Sequence, residues 1–469
     1  MKTAAPVHLV WFKRDLRVVD HAALAAACRA GPVLPLYIAE PSVWQAADAS
    51  AWHWGFVEES LTALGKSLAE LGLPLLRLRG EAVEVLEALR QALPLAALYS
   101  HHGDNQAVAA WCEEHALPWH QFALCDAAGR TAWAERYART VQQPLTALPE
   151  RIFAPHVPPL AHAPARWQLF DPGSCRRQHG GRGAGLALLA SFLDKRVAFY
   201  SRGQASPLTA SDACSRLSPH LAWGTLSLRE VEHARRQRLA QLDPLDRHSQ
   251  RLRAGLDAFA QRLSWHGQAQ YAASALPERD TTPAPTAPPS TDLLCAWSQG
   301  ETGYPLVDAS LAMLHASGWL NHRLRALLIQ LASHTLQLPW PTTGQYLARR
   351  LVDYHPDIHW AQVQQHASPR AARQFNPVAQ ALTLDPHGGF VARWLPALAK
   401  VPAPWRFEPW KMPLDVQQHC GVRIGRDYPA PCVDWVANQA KAPAPSPRPR
   451  PARVPRTSQT GPGQLALGF

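Results

Sequence analysis

The first 125 residues alternate between short apolar segments and longer segments with helical periodicity, and this alternation constrains the fold more than any other feature. The apolar segments predict strands at 7–12, 33–38, 75–78 and 96–100. The helical segments between and after them lie at 20–30, 52–71, 81–92 and 106–116. This order indicates a doubly wound, parallel, Rossmann-like sheet. No GxGxxG follows the first strand, so we expect the main cofactor to bind elsewhere.

The second half of the chain has helical periodicity and no convincing strand. Helices are predicted at 184–199, 218–238, 251–275, 306–317, 319–335 and 343–353. The chain therefore divides into an α/β domain at 1–128, a proline-rich connector at 129–182, an all-α domain at 183–438 and a tail at 439–469. The tail is rich in Pro, Ala and Arg, so it cannot build a core and is expected to be disordered.

Composition narrows the class of protein. The eight cysteines include no CxxC pair, which argues against a zinc site or a disulfide framework and suits a reducing compartment. No apolar run approaches the roughly 18 residues of a membrane helix, and the N-terminus lacks the apolar region of a signal peptide. We expect a cytoplasmic monomer with no metal and no membrane contact.

The charge balance points to a polyanionic partner. The formal net charge is +11, and positive charge attracts phosphate. The support is weak, because a basic balance also arises wherever Arg is abundant. Part of the excess lies in the tail, since residues 441–469 include five basic residues and no acidic one.

Two motifs about 300 residues apart are the strongest indication of function. The first is WFKRDLR at 11–17, and the second is TGYPLVDA at 302–309 followed by GWLNHRLR at 318–325. In this order they resemble the DNA photolyase and cryptochrome family, and the segment at 373–398 is similar to a further motif of that family. The resemblance implies an α/β antenna-type domain, an all-α domain that binds FAD noncovalently, and DNA as the partner. It also allows an antenna chromophore of unspecified identity.

The segment at 214–221 is a candidate anion site. Small hydroxyls and free backbone amides at a helix start bind anions, and an arginine adds positive charge. An ordinary capped helix start has the same pattern. The family binds the FAD pyrophosphate here, and Cys214 replaces its usual Thr. The resemblance implies FAD contacts from Tyr200, Ser215, Arg216, Leu217 and Ser218.

A second group of candidate flavin contacts lies further along the chain. In the family, the last Arg of GWLNHRLR pairs with an Asp beside the flavin, which implies Arg325 and Asp353. A cation at that place favours the anionic reduced flavin. His322 and His355 also stand at cofactor-binding positions of the family. From the residues alone, a structural salt bridge in a helical core remains open.

Trp265 is the candidate contact for damaged DNA. It matches the Trp on which a flipped pyrimidine dimer packs in the family, and a flat apolar ring suits an unstacked base. The residues alone allow an amphipathic helix with this ring in the core. Arg262 stands where the family has a dimer-binding Glu, which is a reversal of charge, and Gln365 replaces a second substrate Trp.

The electron route to the flavin also departs from the family. His359 stands at the position of the Asn beside flavin N5, and Val363 and Ala287 replace two of three relay tryptophans. Trp340 matches the middle member of that relay. Either Trp360 or Trp319 provides another electron route, or photoreduction of the flavin is poor.

The leading hypothesis is blue-light-driven repair of cyclobutane pyrimidine dimers by a deoxyribodipyrimidine photolyase-type carbon–carbon lyase. Its catalytic residues would be Trp265, Arg325, Asp353 and His359. The first alternative is a cryptochrome-like photoreceptor without repair activity. The second is a (6-4) photolyase, in which histidines near the lesion act as acids; the candidates are His266, His322, His355 and His359.

Overall fold

The computed structural model describes residues 5–103, 105–123, 133–156, 177–271, 290–368 and 375–436. Its first part is a five-stranded parallel sheet in the order β3-β2-β1-β4-β5. The strands are β1 (Val7–Phe12), β2 (Val33–Ala39), β3 (Leu76–Arg79), β4 (Leu95–His101) and β5 (Trp119–Phe122). The helices around it are α1 (Ala22–Ala30), α2 (Pro41–Trp44), α3 (Ala51–Glu70), α4 (Ala82–Ala92) and α5 (Gln106–Glu114).

The alternation of side chains along β1 shows why the sheet is buried on both faces. Leu9 and Trp11 pack in the core on one face, and Val10 and Phe12 pack in the core on the other. The doubly wound parallel sheet is thus confirmed. The fifth strand was not predicted, because only two of its four residues are apolar and it lies at the edge of the sheet.

The second part is helical, as predicted. Its α-helices are α6 (Trp133–Thr140), α7 (Arg182–Ser191), α8 (Val197–Gly203), α9 (Pro207–Ala213), α10 (Ser218–Ala222), α11 (Leu228–Ala240), α12 (Arg247–Tyr271), α13 (Thr291–Gln299), α14 (Pro305–Ser317), α15 (His322–Gln330), α16 (Trp340–Arg350), α17 (Pro356–Ala367), α18 (Pro377–Leu384), α19 (Gly389–Trp394) and α20 (Leu414–Cys420). Single π-helical segments follow α7 and α15.

Helix α6 lies inside the predicted connector. Its Tyr137 and the following Val141 pack into the core of the helical part, so this stretch belongs to that core. The predicted limits at 128 and 438 and the tail at 439–469 lie outside the described residues, as do Ala287, Arg373 and Gln374.

The helix predicted at 218–238 is wrong, because the chain breaks between α10 and α11. Gly224 has φ +67°, and a Cβ there would lie 2.1 Å from the Arg14 carbonyl oxygen. Only glycine allows this approach at low cost. Ser227 then caps α11, its hydroxyl accepting from the Glu230 amide at 2.9 Å. The break thus brings the two parts of the chain together.

The two parts share one core. Trp223 and Val352 of the helical part pack with the core on one face of the sheet. The Trp223 indole N–H donates to the Val352 carbonyl at 2.9 Å, and His53 Nε2 donates to the Leu351 carbonyl at 3.0 Å. Among the described residues, no helix is both long and apolar enough to cross a membrane.

Candidate functional site

Asp353 lies at the centre of the candidate site, in the turn between α16 and α17. Arg325 Nη2 on α15 donates to Asp353 Oδ2 at 2.7 Å, and the Asp353 side chain is almost fully buried. Burial opposes ionisation of this carboxyl, but the Arg325 charge and the nearby Ser218 and Arg216 hold its pKa below the ordinary value. The sequence-predicted pair is therefore formed in the structure.

Arg216 contributes a second cation to the same site. It has φ +62°, and its guanidinium carbon lies 4.0 Å from the centroid of the Trp319 ring. Its Nε donates to Gln178 Oε1 at 3.0 Å, and Gln178 Nε2 donates back to the Arg216 carbonyl at 2.7 Å. Burial lowers the pKa of Arg216 to about 10, so it remains charged at neutral pH.

The other predicted FAD contacts, at 200 and 215–218, differ in burial and in hydrogen bonding. The Ser215 hydroxyl accepts from the Leu217 amide at 3.4 Å, and Ser218 begins α10. Leu217 is buried in the core. Tyr200 is also buried, with its ring 5.8 Å from Phe259, and burial raises the pKa of its hydroxyl.

His322 begins α15 and faces a second histidine. Its Nε2 lies 3.4 Å from His366 Nε2, and its pKa falls to about 3, first through burial and then through the charges of His366 and Arg262. Asn321 precedes it and caps the helix, accepting from the Leu324 amide at 3.1 Å.

Three buried polar atoms around Asp353 lack a hydrogen-bond partner within the described part of the chain. They are Asp353 Oδ1, His355 Nδ1 and His266 Nε2. The nearest carboxylate oxygen to His355 Nδ1, on Asp357, is 3.9 Å away and beyond hydrogen-bond reach. Burial lowers the pKa of both histidines, that of His266 to about 4. Buried polar groups are normally satisfied, so this cluster indicates a place for a polar ligand.

Trp265 is not in the core. Its side chain on α12 is 40% exposed, and the Arg262 guanidinium lies 4.8 Å from its ring centroid. Arg262 is also near enough to His322 and Tyr200 for its charge to favour a lower pKa of each, so it is close both to the indole and to these two candidate contacts. The ring thus lies at the surface beside a polar site, with the Arg262 cation against it.

His359, Trp360 and Trp340 form an aromatic group on one side of the site. His359 Nε2 donates to the Gly344 carbonyl at 2.8 Å, and burial lowers its pKa to about 4. The His359 and Trp360 rings are 5.3 Å apart, and those of Trp360 and Trp340 are 6.2 Å apart. The two predicted electron-transfer tryptophans are therefore neighbours.

Two sequence motifs each contain a residue that stabilises the local fold. Asp308 of TGYPLVDA accepts from the Thr302 hydroxyl at 2.6 Å, from the Gly303 amide at 3.1 Å and from the Tyr428 hydroxyl at 2.5 Å. In the later motif, Asn376 caps α18. Asp308 and Asn376 thus hold loops in place through these hydrogen bonds.

Sequence reasoning missed Gln178, His366 and Arg14. Gln178 lies in the predicted connector, and His366 at the end of α17 belongs to no motif, so neither gave a signal. Arg14 belongs to WFKRDLR; its guanidinium carbon lies 4.0 Å from the Trp223 ring centroid, and its Nη1 donates to the Tyr354 carbonyl at 2.9 Å.

Comparisons with known proteins agree with this geometry. The model of the FAD-binding domain of DNA photolyase matches residues 256–445, and the DNA photolyase model matches residues 8–124. Cryptochrome DASH of Gloeobacter violaceus is 30% identical and aligns over 91% of this chain and 93% of its own length. The chain belongs to the DNA photolyase and cryptochrome family.

Both branches of the photolyase and cryptochrome family occur among the relatives. The deoxyribodipyrimidine photo-lyase of Salmonella typhimurium is 29% identical over 92% of this chain and 96% of its own. The crystal structure of a bacterial class III photolyase from Agrobacterium tumefaciens superposes with a TM-score of 0.81 at 25% identity, covering 94% of this chain and 97% of that one. Family membership therefore does not decide between DNA repair and light sensing. That choice depends on the residues of the candidate site.

The residues around Asp353 suit the cofactor of this family. Arg325 and Arg216 could supply positive charge for a reduced flavin or a pyrophosphate, and the unpartnered atoms on Asp353, His355 and His266 could supply hydrogen-bonding groups. The α/β domain has no GxGxxG motif after its first strand that would bind this cofactor instead.

The α/β domain has a second polar cluster where β1 and β4 end. His101 Nδ1 and His21 Nε2 lie 2.6 and 3.0 Å from Asp15 Oδ2. His21 Nδ1 accepts from the Leu24 amide at 3.0 Å, so its proton is on Nε2 and is donated to Asp15. This hydrogen bonding accounts for the cluster without a metal ion.

Proposed function

We propose that this protein is a light-driven repair enzyme for cyclobutane pyrimidine dimers in DNA, with FAD as its cofactor. The observation that carries the proposal is the arrangement on α12. Trp265 is 40% exposed with the Arg262 guanidinium 4.8 Å from its ring centroid, and His266 of the same helix is buried with its Nε2 unpartnered among the described residues. One helix thus joins a surface for an unstacked base to the place where the cofactor would bind.

The chain's own residues would hold the cofactor and set its charge. Bound reduced FAD, once excited, supplies the electron that opens the dimer. Arg325, kept in place by Asp353, and Arg216, kept in place by Gln178, favour a negatively charged flavin. Tyr200, Ser215, Leu217, Ser218, His322 and His355 would complete the binding site.

Trp265 would hold the flipped lesion. Stacking of a base on an aromatic ring contributes about 1–3 kcal/mol and tolerates different bases. Arg262 would move from the ring toward a DNA phosphate when the lesion stacks, so this chain would contact the DNA backbone with the residue that stands where the family has a dimer-binding Glu. His359, which donates to the Gly344 carbonyl, would lie beside flavin N5.

Trp360 and Trp340 would supply electrons that return the flavin to its active, reduced state. Their rings are 6.2 Å apart, and both are partly exposed. This pair would replace the family's relay of three tryptophans, of which this chain keeps only one.

The second candidate is a photoreceptor without repair activity. Arg262 favours it, because its cation lies over the Trp265 ring and must leave before a lesion can stack there. A (6-4) photolyase is less well supported. Burial lowers the pKa of His266 and His359 to about 4 and that of His322 to about 3, so these rings are neutral at pH 7 and are weak proton donors.

We further propose that an antenna chromophore would bind beside Lys13. The sheet order reverses between β1 and β4, and ligands bind at such switch points, outside the carboxyl ends of the strands. Lys13 Nζ is buried there, 4.7 Å from the Trp11 ring centroid, with no hydrogen-bond acceptor among the described residues. Lys13→Met should remove a second chromophore from the purified protein while leaving FAD bound.

The three candidate functions predict different affinities for damaged DNA. The FAD-loaded chain would be titrated in the dark with oligonucleotides that carry one cyclobutane dimer, one (6-4) product or no lesion. A dimer photolyase binds the first most tightly, and a (6-4) enzyme binds the second most tightly. Equal affinity for all three would contradict repair and support the photoreceptor.

A further inference from the structure

Tyr354 lies between the candidate flavin site and the α/β domain, and the proposed function gives its side chain no role. It directly follows Asp353 and is 4% exposed. Its ring is stacked on His53 of α3 at 5.5 Å and lies edge-on to His359 at 5.3 Å. The ring is therefore part of the joint between the two domains.

The hydroxyl of Tyr354 makes two directed hydrogen bonds. It accepts from the Trp360 indole N–H at 3.2 Å, and it donates to a carboxylate oxygen of Asp48 in the loop after α2. Trp360, Tyr354 and Asp48 thus form a continuous chain. The chain as a whole joins an oxidisable indole to a phenol and the phenol to a base.

We propose that Tyr354 is a redox-active tyrosine that reduces the oxidised Trp360 ring and passes its phenolic proton to Asp48. The proposal rests on the assignment of Trp360 as an electron donor under the proposed function. Tyr354 would be the last donor on this branch, whereas Trp340, on the other side of Trp360, would form a separate branch.

The step is balanced in electrons and protons. An electron leaves Trp360 for photoexcited oxidised flavin, which is the oxidant. The indole radical cation takes one electron from Tyr354, the O–H bond breaks, and the proton moves along the existing hydrogen bond to Asp48. The products are a neutral indole, a neutral tyrosyl radical and a carboxylic acid. Asp48 is partly exposed and can release the proton to water. A solution thiol later returns a hydrogen atom to the tyrosyl oxygen.

The charges around Tyr354 support proton-coupled oxidation. Burial and Asp48 raise the pKa of the phenol above its ordinary value, so it is protonated at neutral pH and must lose the proton as it loses the electron. The other titratable groups that face it are Arg14, His53 and His359. His53 Nε2 and His359 Nε2 donate to backbone carbonyls, whereas the Tyr354 hydroxyl donates to Asp48, so Asp48 is the base in contact with it.

We expect the radical to stay on Tyr354 and not to pass to a ring of the α/β side. Trp223 is an oxidisable ring in that direction, with its centroid 5.9 Å from that of His53. The guanidinium of Arg14 lies 4.0 Å from the Trp223 centroid, and a fixed cation opposes formation of a radical cation on that ring.

The test is flash illumination of the FAD-loaded chain with oxidised flavin, followed by electron paramagnetic resonance. Protein with ring-deuterated tyrosine identifies the tyrosyl signal by its loss of hyperfine structure. We expect a tryptophanyl radical that converts to a tyrosyl radical. Tyr354→Phe, which keeps the ring, should abolish the conversion, and Asp48→Asn should slow it.

The matched control is Tyr346→Phe. Tyr346 is another enclosed tyrosine; it donates to the Ser298 carbonyl at 2.6 Å and lies beside Trp297 instead of Trp360. This variant should retain the conversion. A tyrosyl signal that persists in Tyr354→Phe, or a tryptophanyl radical that never converts in the unmodified chain, would overturn the role of Tyr354 while leaving Trp360 as a donor. Absence of any protein radical would overturn the Trp360 assignment itself.

Discussion

Arg325 Nη2 lies 2.7 Å from Asp353 Oδ2, although the two residues are 28 positions apart, one on a helix and the other in a turn. The pair joins the start of α15 to the turn after α16, and the second carboxylate oxygen is left buried without a partner in the described structure. An ion pair with one unused oxygen beside another cation, Arg216, is suited to holding a ligand as well as a fold.

Asp353→Asn should destabilise the protein and release flavin. Removing one member of a buried pair leaves an uncompensated charge, which costs about 3–5 kcal/mol. The free energy of unfolding and the flavin retained after gel filtration would both be measured. Asp427→Asn, which disrupts the exposed pair with Arg426, is the control and should change neither quantity appreciably. Full flavin retention in Asp353→Asn would contradict the assignment.

The sequence predicted the general architecture better than it predicted the site. Strand and helix periodicity located β1 to β4 because their apolar residues fill a core, but β5 has too few apolar residues to give this signal. The Arg325–Asp353 pair came from a motif resemblance. Gln178 and His366 could not be predicted, because they reach the site through tertiary contacts that leave no local pattern.

Trp265→Ala should weaken binding to dimer-containing DNA by about 1–3 kcal/mol, because the variant loses one stacking surface. Affinity for intact duplex should change little, since phosphate contacts dominate there. Phe153→Ala, which removes an exposed aromatic ring outside α12, is the control. An equal loss of affinity for damaged and intact DNA would show that Trp265 does not recognise the lesion.

Stability should fall as the pH drops from 6.5 toward 4. Burial lowers the pKa of His21, His53 and His220 from 6.5 to about 4, so the unfolded chain binds more protons in this window. Each histidine lowers the free energy of unfolding by about 1.4 kcal/mol per pH unit in the middle of the window. Urea unfolding at several pH values tests this. His53→Gln should reduce the slope and the exposed His248→Gln should not; the same slope in both variants would contradict the account.

Trp360→Phe should greatly slow light-driven reduction of the flavin, because the indole beside His359 is lost while an aromatic ring remains. Trp340→Phe should slow it less, since the Tyr354 branch is intact. Trp410→Phe, which packs against Tyr304, is the control. The rate of flavin bleaching under blue light with a thiol present is the measurement. An unchanged rate in Trp360→Phe would require a different donor.

Deleting residues 441–469 should reduce the dependence of DNA affinity on salt. The segment has five basic residues and no acidic one, and each phosphate that it neutralises adds about 0.9 to the slope of log affinity against log salt. Titrations at several salt concentrations measure the slope. An unchanged slope would show that the segment does not contact DNA.

The most direct test is repair itself. The FAD-loaded chain, with its flavin reduced, would be illuminated with blue light in the presence of a dimer-containing oligothymidine while the thymine absorbance is followed. The account predicts a light-dependent recovery of absorbance that is absent in the dark and strongly reduced in Trp265→Ala. No recovery with fully reduced, bound FAD would contradict dimer repair.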